Sequence, residues 1–299
     1  MRSLALTDRF APLRSFIADV IGEDDDDVPE LPADLPAGVR STIAREVEML
    51  TEYQSDRYAN LYLHRIRRFA DRRGIDAARL EAIATRLGQR MRFSDLPRLA
   101  QVKLGLVHGT GIDAETSDLK VQIPLEELAA FCPARMAAAI SRRVQSPQWA
   151  KRRITLRLSP ASFLGRRKLG LLVTFRRLRL RSARYTHEKD SVERWLHMID
   201  RSLTRCPAAT SEIITSVDFV RGYGGLYRQR LANWQLIMDR LAKPVFDGRI
   251  CMSGLAAALA QAKAAAATDP PPGAVEVLIE DLIAADRPLS AAAPGAPGP

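Results

Sequence analysis

The sequence predicts a mainly α-helical protein: a multi-helix domain with at most one short strand or hairpin near residues 151–160. Two observations carry this. From Val39 to Phe69 apolar residues recur largely at spacings of three, four or seven to eight, which is the period of one helix face, and further helical stretches follow. KRRITLRLSP (151–160), with Ile154, Leu156 and Leu158 alternating with polar residues, is the best strand candidate, but it is one short strand. The composition supplies a core, because 46% of the 299 residues are hydrophobic, ordinary for a globular chain.

Residues 1–35 read as a leader. EDDDDVPELPADLP (23–36) joins an acidic run to prolines and is expected to be extended or mobile. From 36 to 245 the pattern is that of one helical domain. Val39, Ile43, Val47, Leu50, Tyr58, Leu61, Ile66 and Phe69 share a face of one long helix ending near Gly74. DAARLEAIATRLGQRM (76–91) follows, with Asp76 as N-cap, and LPRLAQVKLGLVHG (96–109) starts from Ser94 or Asp95 with Pro97 in its first turn. LKVQIPLEELAAFCPARMAAAISRRV (119–144) reads as a helical stretch, with Pro124 near its start and an interruption at Pro133. HEKDSVERWLHMIDRSL (187–203) places Val192, Trp195, Leu196 and Ile199 on one face, and Pro207 opens a segment running to about Leu241. Residues 246–285 hold C-terminal helices, among them AAALAQAKAAAA (256–267), and 286–299, ending in AAAPGAPGP, is expected to be disordered.

No apolar run approaches the roughly 20 residues of a membrane helix, and the N-terminus does not read as a signal peptide. Cys132, Cys206 and Cys251 are far apart and form no C-x-x-C pair, which fits a reducing cytoplasm. His64, His108, His187 and His197 lack metal-ligand spacing. No catalytic, cofactor-binding or metal residue is assigned.

Two stretches carry the remaining signal. In VDFVRGYGGLYRQRLANW (217–234), three glycines sit between segments that otherwise read as helical. The stretch lacks the third spaced glycine of a dinucleotide loop and the G-K-[ST] of a P-loop, so a break between two helices is favoured over a phosphate cradle. The second stretch is basic. Of the 45 Lys and Arg, 14 fall between Arg142 and Arg184, where there is no Asp or Glu; the rest of the chain is slightly acidic, against 35 Asp and Glu in all. Contact with another protein is the favoured use of this block, and LVTFRRLRLRSARY (172–185) within it has the character of an amphipathic segment laid on a subunit or an anionic surface. A basic helical nucleic-acid-binding protein and a stand-alone enzyme holding a phosphate cofactor at the glycine turn are the alternatives.

Four stretches in order resemble a known family. Tyr53, Gln54, Tyr58, Ala59 and Tyr62 match a Y-Q, Y-A-x-x-Y helix. Phe93, Asp95, Leu99, Ala100 and Lys103 match an aromatic, Asp, V/L-A-x-x-K motif. Arg184, Tyr185, Glu188, Glu193, Arg194, Trp195 and Leu196 match R-Y-x-x-E followed by E-R-W-L. Gly222, Tyr223, Gly224, Arg228, Leu231 and Asn233 belong to a last motif, in which Gly225, Leu226 and Gln229-Arg230 stand where the pattern has Asp, Thr and Arg-Gly. Over roughly residues 36–245 the chain resembles the helical C-terminal region of the indolepyruvate ferredoxin oxidoreductase β-subunit family, a region also classed as a domain of unknown function.

The resemblance implies a non-catalytic helical module that supports oxidative decarboxylation of aryl 2-oxoacids by a partner. That partner would be a catalytic α-type subunit carrying thiamine diphosphate and iron–sulfur clusters, with ferredoxin reached only indirectly and no cofactor on this chain. Longer family members begin with a nucleotide-fold domain bearing a glycine-rich turn, which this sequence does not match. Arg176, Arg177, Arg179, Arg184, Tyr185, Glu188 and Trp195 are the expected subunit-contact residues.

Overall fold

The computed structural model describes residues 28–32, 35–105, 119–124, 142, 153–158, 162–222 and 224–286. Most of the leader and the tail expected after 286 lie outside the described residues. The fold is mainly helical, and the chain divides into two compact units, Met1–Val192 and Glu193–Pro299.

In the first unit, α1 (Ala37–Tyr53), α2 (Asp56–Ala70), α3 (Ala77–Met91) and α4 (Leu96–Lys103) form the helical core. The single long helix expected from Val39 to Phe69 is two helices. Ser55 accepts from the Tyr58 N–H as the N-cap of α2, and Asp56 adds a favourable charge to its first turn. Asp76 caps α3 by accepting from the Arg79 N–H, and Asp95 caps α4 by accepting from the Arg98 N–H. Helix α4 stops at Lys103, short of the expected 109, where Gly105 adopts φ +65°. Ile43, Leu50, Leu63, Ile66, Phe69, Ile83 and Leu87 are buried between these helices. At Gly88 a methyl group would collide with the Glu46 side chain, whose carboxylate pairs with Arg92.

The expected strand is present as β2 (Arg153–Leu158). Its partner corrects the sequence reading: Leu119–Pro124, expected to open a helical stretch, is strand β1. The two run antiparallel, with Leu119 opposite Leu158 and Ile123 opposite Ile154. Leu119, Val121 and Ile123 alternate with polar residues, a strand period that the pairing stabilises. The Pro133 interruption lies outside the described residues. Helix α5 (Phe163–Thr174) follows, and its buried Leu169 packs on Ala100 of α4. A 3-10 segment, Phe175–Arg181, then leads into α6 (Ala183–Arg205), within which the division between the units falls.

The second unit contains the end of α6, α7 (Thr210–Thr215), α8 (Gly224–Ile237), a π-helical turn at Met238–Ala242, α9 (Lys243–Phe246), α10 (Leu255–Ala267) and α11 (Ala274–Ala285). Trp195, Ile199, Ile213, Trp234, Ile237, Leu241, Phe246, Leu255 and Leu259 form its core. No helix among the described residues is long and apolar enough to cross a membrane.

Candidate functional site

The three tyrosines of the first motif form a ladder of hydroxyl donors along α3. The Tyr62 hydroxyl donates to the Ala84 carbonyl at 3.2 Å, that of Tyr58 to Met91 at 2.9 Å and that of Tyr53 to Phe93 at 2.9 Å. Met91 and Phe93 lie at and beyond the end of α3, where carbonyls have no partner within the helix. The phenols supply those partners without admitting water. Burial raises the pKa of all three phenols above the ordinary value. Their contribution to stability is therefore complete below pH about 10 and is lost as the pH rises towards the folded-state values. In an alkaline titration followed at 295 nm, part of the tyrosinate signal should appear only as the helical circular dichroism collapses. Full ionisation near pH 10 with the helices intact would contradict the ladder.

Arg179 closes this cluster. Its Nε and Nη2 donate to the two Asp95 carboxylate oxygens at 2.5 and 2.9 Å, and its Nη1 donates to the Tyr53 carbonyl at 2.7 Å and to Gln54 Oε1 at 3.0 Å. The guanidinium carbon lies 3.8 Å from the centre of the Tyr53 ring. One cation therefore neutralises the α4 cap, satisfies the C-terminal carbonyl of α1 and stacks on an aromatic face. Burial works against the Arg179 charge, but Tyr53 and Asp95 outweigh it and leave the pKa above its ordinary value. Ser182 fixes the junction: its hydroxyl donates to the Arg179 carbonyl at 2.6 Å and accepts from the Tyr185 N–H at 3.1 Å. A neighbouring network joins Arg90 to Glu188 at 3.2 Å and to Ser191 at 3.3 Å, with Arg184 at 3.8 Å from Glu188 and its guanidinium over the Phe93 ring. Tyr185 stands beside Tyr58, ring centres 6.2 Å apart.

This geometry corrects part of the expected contact surface. Arg179 is only 2% exposed and Glu188 is also buried, because their charges are spent on internal partners. Trp195 is buried in the second unit, where its indole N–H donates to the Ile213 carbonyl at 3.0 Å. Arg176, Arg184 and Tyr185 are half-buried, and the Arg177 side chain lies outside the described residues. Tyr53, Gln54, Tyr58, Arg179, Arg184, Tyr185 and Glu188 are thus brought together as an internal latch, while Lys103 is half-buried at the end of α4. A family model described as a family of unknown function (DUF6537) matches residues 39–240. The chain belongs to this family. No curated protein and no solved structure matches it.

The matched DUF6537 region contains the whole latch and the glycine turn of the second unit. Gly222 takes φ +114°, a left-handed conformation that glycine adopts without a Cβ penalty, and α8 starts at Gly224. The residues before the turn form helix α7 and a turn, not the strand that a phosphate-binding loop requires. Arg230 ties the turn down: its Nη1 donates to the Arg221 carbonyl at 2.9 Å, and its Nε and Nη2 donate to Asp269 at 2.7 Å each. Gln229 donates to the Pro270 carbonyl at 2.8 Å. Arg228 is exposed, Asn233 is half-buried, and Tyr223 lies outside the described residues.

Among the described residues, the outer face of α5 exposes a cluster of large apolar side chains. Phe163, Leu164, Leu171 and Phe175 are 73, 68, 60 and 45% exposed. Arg166, Arg167 and Lys168 are exposed among them. The sequence marks this region as basic and amphipathic from Leu172 onward, but the apolar face begins at Phe163. The signal for it was the spacing of Leu164, Leu171 and Phe175, which places them on one side of a helix.

Proposed function

We propose that this chain is a non-catalytic helical docking module. The α5 face, with Phe163, Leu164, Leu171 and Phe175 set among Arg166, Arg167 and Lys168, is its contact with an acidic and apolar surface of a partner protein. Exposed large apolar side chains clustered within a polar rim mark interaction sites more often than solvated faces do. That cluster is the observation that carries the reading.

The resemblance to the indolepyruvate ferredoxin oxidoreductase β-subunit family names the partner class. It would be a catalytic subunit with thiamine diphosphate and iron–sulfur clusters that decarboxylates an aryl 2-oxoacid and passes electrons on to ferredoxin. The tyrosine ladder and the Arg179 latch then serve to hold α4 and α5 in place, which supports a structural role for the motif residues.

The test is to tag the chain in its own cells, purify it gently and identify what accompanies it. A large subunit containing thiamine diphosphate and iron is expected, with its recovery reduced about tenfold by R166E/R167E at low salt. A chain recovered alone and free of cofactor would overturn the reading.

A further inference from the structure

The outer faces of two helices match in pattern and oppose in charge. On α5, Leu164, Arg167, Lys168 and Leu171 are all exposed, at i, i+3, i+4 and i+7 along one side of the helix. On α11, Val277, Glu280, Asp281 and Ala284 are all exposed at the same spacings. Each face has an apolar residue at either end and two like charges between them, positive on α5 and negative on α11. The helices as wholes repeat the contrast: FLGRRKLGLLVT has three bases and no acid, and AVEVLIEDLIAA has three acids and no base. Both are 12 residues long, about 18 Å of helix. On α11 the acids have one cation within reach, Arg240, at 2.8 Å from Glu276 and 4.0 Å from Glu280. Its side chain is half exposed, so these pairs are weak and exchangeable.

We infer that α11 of a second copy of this chain docks on α5, with Glu280 and Asp281 against Arg167 and Lys168, and Val277 and Ala284 beside Leu164 and Leu171. This rests on reading the α5 face as a docking surface, and adds a second occupant that a partner must displace. Leu164 and Leu171 are 68 and 60% exposed within their own chain, so the acidic helix comes from another. The other self-contacts are disfavoured. Pairing α5 with α5 opposes two basic faces, and pairing α11 with α11 opposes two acidic ones, and like charges across an interface work against association. The order apolar, charged, charged, apolar reads the same from both ends, so the match holds for either direction of the docked helix.

Two charge-reversed full chains test this. In R167E/K168E the outer faces of α5 and α11 are both acidic; in E280K/D281K both are basic. Sedimentation velocity at low salt, over a micromolar concentration series, reads the association. The native chain is expected to self-associate, and each variant alone to do so about tenfold more weakly. Mixing the two variants restores opposite charge at the contact and should return association to near the native level. All four substituted side chains are exposed, so each variant should keep the native circular dichroism. A native chain that stays monomeric, single variants that associate like the native chain, or a mixture no stronger than its components would each overturn the proposal. If R166E/R167E releases the partner in cells while the mixture fails to associate, the docking face stands and the self-contact falls. If the mixture associates but R166E/R167E leaves partner recovery unchanged, the face serves self-contact alone and the docking function falls instead.

Discussion

Replacing Arg179 with methionine is expected to destabilise the first unit by about 3–5 kcal/mol, the range for breaking one side of a buried ion pair. The loss is large because the side chain has several partners that water cannot replace. Asp95 would keep a buried carboxylate without its bidentate cation, the Tyr53 carbonyl would lose its donor, and Gln54 would lose its contact. Arg179→Lys tests the geometry separately. A lysine preserves the charge but has no planar fork, so it cannot serve both Asp95 oxygens and the Tyr53 carbonyl together. Its cost should fall between those of the native residue and methionine. In the double variant Arg179→Met with Asp95→Leu, the orphaned charge is gone, and part of the lost stability should return despite the missing α4 cap. Urea unfolding followed by circular dichroism measures all three, and amide exchange in α1 and α4 locates the effect. A methionine variant of native stability would show that the latch is incidental to the fold.

The helical class and several boundaries were legible because their determinants are local. Asp76 and Asp95 cap the helices they precede in the sequence, and the alternation of Ile154, Leu156 and Leu158 marks strand β2. The break at Gln54 and Ser55 was hidden by phase. Leu50 and Tyr58 are eight residues apart, so the apolar face continues across the interruption, and only the Ser55-Asp56 cap signal marks it. Strand β1 was read as helix because its pairing partners lie 29 to 39 residues ahead, and a six-residue segment gives little evidence of its own. Arg179 was counted with a basic surface for the same reason. Its carboxylate partner lies 84 residues upstream, and nothing in FRRLRLR separates the internal Arg179 from its neighbours. The α5 face was only half legible: charge marked the block, but which apolar residues remain uncovered is decided by Leu169 turning onto Ala100.

In the second unit, Trp195→Ala and Trp234→Ala should each cost about 3–5 kcal/mol, the range for truncating a buried aromatic residue. Both side chains are fully buried, and both serve the same short helix. The Trp195 indole N–H donates directly to the Ile213 carbonyl at 3.0 Å. The Trp234 indole N–H donates to the Ser216 hydroxyl at 3.0 Å, and that hydroxyl donates onward to Ile213 at 2.7 Å. Six-residue α7 is too short to be stable alone, so these two rings and the shared carbonyl hold its C-terminal end in the core. Ser216→Ala separates hydrogen bonding from ring packing. It removes a single oxygen, yet leaves the Trp234 N–H buried without its acceptor, at a cost of about 1–3 kcal/mol. In a Trp234→Phe background that donor no longer exists, so Ser216→Ala should become markedly cheaper, and the coupling between the two sites measures the relay. Additive costs would mean that the tryptophans act through volume alone, and that α7 is held by packing without the hydroxyl bridge.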